Sequence, residues 1–222
     1  MNITALIQLI ALAAIPVTFA ITLHEAAHGY AARHFGDYTA DRAGRISLNP
    51  LRHIDPIGTV LVPLLILVTS KLAGGGGILF GWAKPVPVNF GQLRNPKRDM
   101  LWVAAAGPGA NLFMAICWAL VLKIGQTLPA NYFSEPLLGM AEVGITINAV
   151  LMMLNLFPLP PLDGGRIAVS LLPGKLAWRF AMLEPYGFII LLVLLFTGVL
   201  GAILSPFIGA VLHLLSLLFN LR

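Results

Sequence analysis

The chain has 222 residues, of which 58% are hydrophobic and only 10% charged, with a formal net charge of +5. A soluble domain carries about a quarter charged residues, so this composition excludes an ordinary soluble globule and predicts a chain that faces lipid or other membrane helices. The single cysteine, Cys117, excludes an intrachain disulfide framework and a cysteine-rich metal site. No basic stripe with interleaved aromatics points to nucleic acid, and the positive charge reads as the cytoplasmic excess of Lys and Arg typical of membrane proteins.

No Lys or Arg precedes the N-terminal apolar run, which argues for a retained span rather than a cleavable leader. The first helix is predicted from about Thr4 to His34, with Pro16 tolerated as a kink. It contains Thr22-Leu23-His24-Glu25-Ala26-Ala27-His28. Two histidines four apart share one helix face and can reach a single ion. Glu25 points about 100° around the helix, free to act on water held there. This is the HExxH pattern, in which two His bind Zn²⁺ and Glu serves as general base. Two imidazoles and a carboxylate in an apolar segment are costly unless a metal or partners satisfy them. His24 precedes Arg33 by nine residues, so at 1.5 Å per residue an ion would lie roughly 13 Å below that polar end.

A polar segment follows from Gly36 to Pro56, with Arg42, Arg45 and Arg52, and reads as turns. His53 and Asp55 are expected to be loop residues, the alternative being a contact with the site from outside. Ile57 to Ser70 is apolar but about fourteen residues long, short for a span and suited to a re-entrant or interfacial segment. If it dips in and returns, Arg42, Arg45 and Arg52 share the cytoplasmic side with Lys84, Arg94, Lys97 and Arg98, leaving Lys123 opposite. The glycines Gly74 to Gly77 follow as a turn. Pro85 and Pro87 make Ile78 to Phe90 extended, either as an edge strand able to receive a substrate strand or as a plain connector.

The second span is predicted over Met100 to Lys123. Its Gly107-Pro108-Gly109-Ala110-Asn111 brings small residues that let helices approach closely in lipid. Asn111 reads first as a bond across that interface, and alternatively as a substrate-binding residue. The third span runs from about Leu137 to Phe157 with Glu142 and Asn148 on it, and Pro158, Pro160 and Pro161 then break the helix. Broken backbone at membrane depth is tolerated where it lines a buried or wet cavity. A short helix follows Gly165 to Leu172. Phe188 to Asn220 is too long for one span and is expected to divide at Ser205-Pro206 into two short spans or a helical hairpin; His213 there reads as a packing residue. A catalytic zinc takes three protein ligands. His34 is off the motif face, the loop acids are at the edges, and Glu142 lies near the wrong end of its helix. Asp163, at the helix break on the correct side, is the expected third ligand.

HEAAH on the first core helix and NLFPLPPLDGGR on a later one resemble the site-2 protease family of intramembrane zinc metalloproteases. By that resemblance His24, His28 and Asp163 match the zinc ligands and Glu25 the catalytic glutamate. Asn155 matches an asparagine implicated in substrate positioning. Residues 107–111 resemble the family's middle core helix, and residues 78–90 its membrane-associated β-hairpin. Many bacterial members carry a PDZ insertion that this chain lacks, so it resembles a minimal branch.

The expected fold is an all-α polytopic membrane protein of about 4–6 membrane segments, with a re-entrant segment and a small β-hairpin. One domain is expected over 1–222, with its core at about 15–175 and accessory membrane segments at about 186–221. The resemblance implies one Zn²⁺ per chain, a membrane-protein or transmembrane-peptide substrate, and a prokaryotic inner-membrane location with the site towards the cytoplasm. The alternative class is a membrane metal carrier or transporter using His24, His28 and Asp163. A serine or aspartyl intramembrane protease is excluded, because neither a G-x-S-G setting nor paired span aspartates are present.

Overall fold

The computed structural model describes residues 3–61, 81, 83–129, 131 and 134–221. Helix α1 (Ile3–His34) covers the whole predicted first helix, with Pro16 inside it and fully buried. A short α2 (Thr39–Arg42) follows. Helix α3 (Pro96–Gly125) begins on a proline, whose missing N–H costs nothing at a first turn. There Asp99 accepts the Asn95 N–H at 2.7 Å. Helix α4 (Ser134–Leu156) starts where Ser134 and Asn131 exchange side-chain to backbone bonds of 2.8 and 3.0 Å. Helix α3 exceeds the predicted second span by four residues at its start and two at its end, and α4 begins three residues before the predicted third span and ends one residue short of it.

The core is built from α1, α3 and α4, which pack on one another through small side chains. Ala115, Ala119 and Ala141 are completely buried in the α3–α4 seam, with Ala20 and Ala26 buried on α1. In lipid there is no hydrophobic drive to join helices, so close backbone approach and polar bonds must do it. The outer faces are the reverse of a soluble protein. Phe113 on α3 and Leu217 near the C-terminus are exposed, as expected of surfaces meeting acyl chains. Four helices among the described residues are long and apolar enough to cross a membrane: Ile10–His34 of α1, α3, α4 and Val199–Phe219. The chain is an all-α polytopic membrane protein.

Phe157–Leu162 breaks the chain after α4, and α5 (Asp163–Leu171) starts on the aspartate itself. The reversal is tight: a Cβ on Gly164 would lie 2.2 Å from the Leu156 carbonyl oxygen, and one on Gly165 2.2 Å from the Pro160 nitrogen. Both contacts are with backbone, which cannot swing aside, so only glycine lets α5 fold back onto the end of α4. Helix α5 packs against α3. The amphipathic α6 (Gly174–Ala181) and α7 (Glu184–Phe196) form a pair bent by 62°, and together are apolar enough for a fifth span. Helix α8 (Val199–Phe219) completes the described elements and packs on α4.

The C-terminal division falls elsewhere than expected. Helix α7 ends at Phe196 and α8 begins at Val199, whereas Pro206 lies inside α8. Gly198 adopts a left-handed conformation, φ +76°, which glycine takes without strain and which reverses the chain.

The loop from α1 to α3 leaves and returns at the same end of the bundle. Arg94 donates its backbone N–H to the Phe35 carbonyl at 3.0 Å and its guanidinium to the His34 carbonyl at 2.9 Å. Asp37, fully buried, accepts the Asn89 N–H at 2.6 Å. Within the expected re-entrant segment, Pro56–Leu61 forms a wide π-helical turn, and residues 62–72 lie outside the described residues, as do Gly74 to Gly77. Of the expected hairpin, residues 78–80 and 82 lie outside them too. Residues 83–89 form neither helix nor strand.

Candidate metal centre

The apolar run of α1 holds His24 and His28 on one face, one turn apart, and both are buried. Their Nε2 atoms are 3.1 Å apart. The carboxylate of Asp163, brought in by the tight turn before α5, places Oδ2 3.3 Å from each. These three side chains form the cluster suited to a metal ion among the described residues.

The hydrogen bonds behind the cluster decide what these atoms are. His28 Nδ1 lies 2.7 Å from the Val103 carbonyl oxygen, which can only accept, so the proton of neutral His28 is on Nδ1. His24 Nδ1 lies 2.7 Å from Asn111 Oδ1. The Asn111 amide nitrogen donates to the Ala20 carbonyl at 3.3 Å and to Asn148 Oδ1 at 3.0 Å, so the atom facing His24 is the accepting oxygen. Both histidines therefore turn an unprotonated Nε2 inward, towards each other and towards a carboxylate oxygen. That Asp163 Oδ2 is buried without a conventional hydrogen-bond partner among the described residues. Three acceptors converging on one point repel one another until a cation joins them. Zinc bound tetrahedrally at about 2.0–2.1 Å holds its ligand atoms about 3.3–3.4 Å apart, close to the observed triangle. Two imidazoles and a carboxylate are also a donor set that zinc takes. The residues fit the ion.

Room for the cluster comes from α3. A Cβ on Gly107 would lie 2.3 Å from His28 Nε2 and 2.6 Å from His24 Cε1. In the sequence Gly107 reads as part of a small-residue stretch for helix packing, and the structure makes it a wall of the site. Glu25 lies off the histidine face, half-buried, and its Oε2 accepts the Val86 N–H at 2.7 Å.

The remaining candidates are distributed as follows. Asn111 is completely buried, and its Oδ1 lies 2.7 Å from His24 Nδ1 across the α1–α3 interface. Asn155, half-buried at the end of α4, donates to the Leu151 carbonyl at 2.9 Å and bonds to none of the cluster residues. His53 is buried and bonds the Ser47 carbonyl at 2.8 Å, and Asp55 accepts the Ile57 and Gly58 N–H groups: both serve the loop. In the extended segment, Lys84 donates its N–H to the His53 carbonyl at 3.0 Å, and Arg45 binds the Lys84 carbonyl at 2.9 Å. Its N–H groups at 84, 86 and 89 thus all point into the protein, and Pro85 and Pro87 have none to offer. The sequence alone assigns no role to Asn148, nor to Val86 beyond a place in the proline-bearing extended stretch. An amide buried in an apolar span was the available signal for the first, whereas nothing local marks the second.

A bundle of membrane helices with two histidines of HExxH and a distant aspartate converging at one point defines a membrane metallohydrolase. A Bacillus subtilis protein named "Putative zinc metalloprotease YwhC" is 38% identical over 214 residues, covering 93% of this chain and 91% of that protein. "Putative zinc metalloprotease Rip2" of Mycolicibacterium smegmatis is 30% identical over 186 residues, 82% of this chain and 65% of its own. The Mycobacterium tuberculosis protein of the same name is 26% identical over 178 residues, 78% and 62% of the two chains. No protein-family model matches the chain, and no solved structure does. The chain belongs to the site-2 protease family of zinc metalloproteases. It is a membrane metalloprotease, and zinc is its metal.

Proposed function

We propose that this enzyme hydrolyses peptide bonds within or near the transmembrane segments of membrane-protein substrates. His24, His28 and Asp163 hold the zinc, and Glu25 is the general base. The observation that carries this reading is the triangle of unprotonated Nε2 atoms and one carboxylate oxygen, 3.1–3.3 Å on a side, borne on a membrane helix. Zinc there supplies a Lewis acid that lowers the pKa of water towards neutrality and polarises the scissile carbonyl. Glu25 takes the proton of the attacking water and passes it to the leaving amine. The Val86 N–H holds the Glu25 carboxylate off the ligand face.

A substrate helix keeps its carbonyls bonded and shielded, so cleavage requires a local unwinding. Asn155, beside the proline break at the end of α4, is the candidate to hold the unwound strand. Water reaches the site from the end of the bundle that carries Arg33, Arg42, Arg45, Lys84 and Arg94, opposite Lys123. By the positive-inside bias that end is cytoplasmic, and the membrane is the cell (inner) membrane.

The test separates two residues of equal charge. Glu25→Gln should retain zinc and substrate while cleavage falls roughly 10²–10⁴-fold. Asp163→Asn should lose zinc as well, since a neutral amide is a poorer ligand. Cleavage by Glu25→Gln at near wild-type rate sinks the mechanism, and tight zinc in Asp163→Asn requires another third ligand. A metal carrier would keep transporting with Glu25→Gln.

A further inference from the structure

Two asparagines, Asn111 on α3 and Asn148 on α4, are completely buried among membrane helices, where an amide left without partners is costly. They form one directed chain. Asn148 Nδ2 donates to the Gly144 carbonyl at 2.8 Å, one turn back on its own helix. This leaves Asn148 Oδ1 to accept Asn111 Nδ2 at 3.0 Å. The second hydrogen of Asn111 Nδ2 goes to the Ala20 carbonyl on α1 at 3.3 Å. Asn111 Oδ1 is then left to accept the His24 Nδ1–H at 2.7 Å. Carbonyl oxygens of the main chain cannot donate, so each direction in the chain is forced. A flipped Asn111 amide would set its NH₂ against the His24 N–H and its oxygen against two acceptors.

We infer that Asn148 is a positioning residue for the metal site: acting through Asn111, it fixes the tautomer and ring orientation of His24. The inference rests on the proposed zinc site and deepens it. The Gly144 and Ala20 carbonyls, anchored in two helices, thereby determine that His24 offers its Nε2 lone pair to the ion. Partners behind a metal-bound imidazole tune affinity by roughly 10–100-fold. Asn148 touches neither ligand nor substrate, so a role confined to helix packing would alter stability and leave the metal unchanged.

The experiment is cobalt substitution of the purified full-length protein in detergent, read by the visible ligand-field spectrum and by competition with a chelator. Asn148→Ala removes the acceptor that orients Asn111. It should weaken or shift the cobalt bands and release metal at roughly 10–100-fold lower chelator, with helical circular dichroism unchanged. Asn148→Asp, which again offers an oxygen to Asn111 Nδ2, should restore both readouts. If the alanine variant does not purify as a folded protein, Asn148→Leu refills the volume without an amide and carries the same comparison. A lowered melting point with wild-type spectrum and affinity overturns the inference and leaves the zinc site standing. Wild-type metal retention by His24→Ala overturns the ligand assignment itself, and this inference with it.

Discussion

Glu25 and Val86, 61 residues apart, meet through a 2.7 Å hydrogen bond from the Val86 N–H to the Glu25 carboxylate. Val86 is buried between two prolines, in a segment tied down by Arg45, His53 and Asp37. The amide therefore holds a fixed position against the carboxylate of the proposed base. A hydrogen bond to a charged group contributes about 1.5–3 kcal/mol, so losing it should cost roughly 10–100-fold in turnover. Set against a Val86→Ala control for the lost side chain, Val86→Pro removes the N–H donor. Its turnover on a membrane-protein substrate should fall by that amount with zinc content intact. Unchanged turnover would show that the amide does not orient the base.

Gly107 and Gly109 lie two residues apart on α3 and make opposite predictions. A methyl group on Gly107 would enter the space of both imidazoles, which cannot retreat because each Nδ1 is bonded behind it. Overpacking costs about 1–3 kcal/mol, here set against metal binding. Gly107→Ala should lose zinc affinity by roughly 10-fold or more, measured by chelator competition. Gly109 has open space where its Cβ would be, and Gly109→Ala should behave as wild type.

Removing zinc leaves three acceptors facing one another in a buried site, with Asp163 Oδ2 lacking a conventional hydrogen-bond partner among the described residues. A ligand present at 1,000 times its Kd stabilises the folded state by about 4 kcal/mol. Chelation should therefore lower the thermal unfolding midpoint in detergent, and added Zn²⁺ should restore it. In Asp163→Asn the difference between chelated and zinc-loaded protein should shrink.

Arg45 bonds the carbonyl of Lys84, and the segment containing Lys84 continues through Gln92 to the bond between Arg94 and Phe35. Cysteines placed at Arg45 and Gln92 in a Cys117→Ser background should label from the same face, the cytoplasmic one. Labelling from opposite faces would contradict the shared end of the bundle.

What a local pattern can encode is legible in the chain alone. The length and apolarity of three spans, the HExxH pair at i and i+4, and the aspartate after a proline break all lie within single stretches of chain. Helical periodicity and proline chemistry act over a few residues, so these features are legible one segment at a time. Where a local signal misled, as at Pro206, another local one decided: the left-handed Gly198 eight residues earlier reverses the chain.

How those segments answer one another depends on the folded arrangement. The Val103 carbonyl and the Asn111–Asn148 pair set the histidine protons, Gly107 clears the space in front of them, and Val86 meets Glu25. Each of these joins residues 37 to 87 positions apart. A hydrogen bond depends on the direction of atoms from two elements at once, and no spacing within either element records the angle at which helices cross in the bilayer.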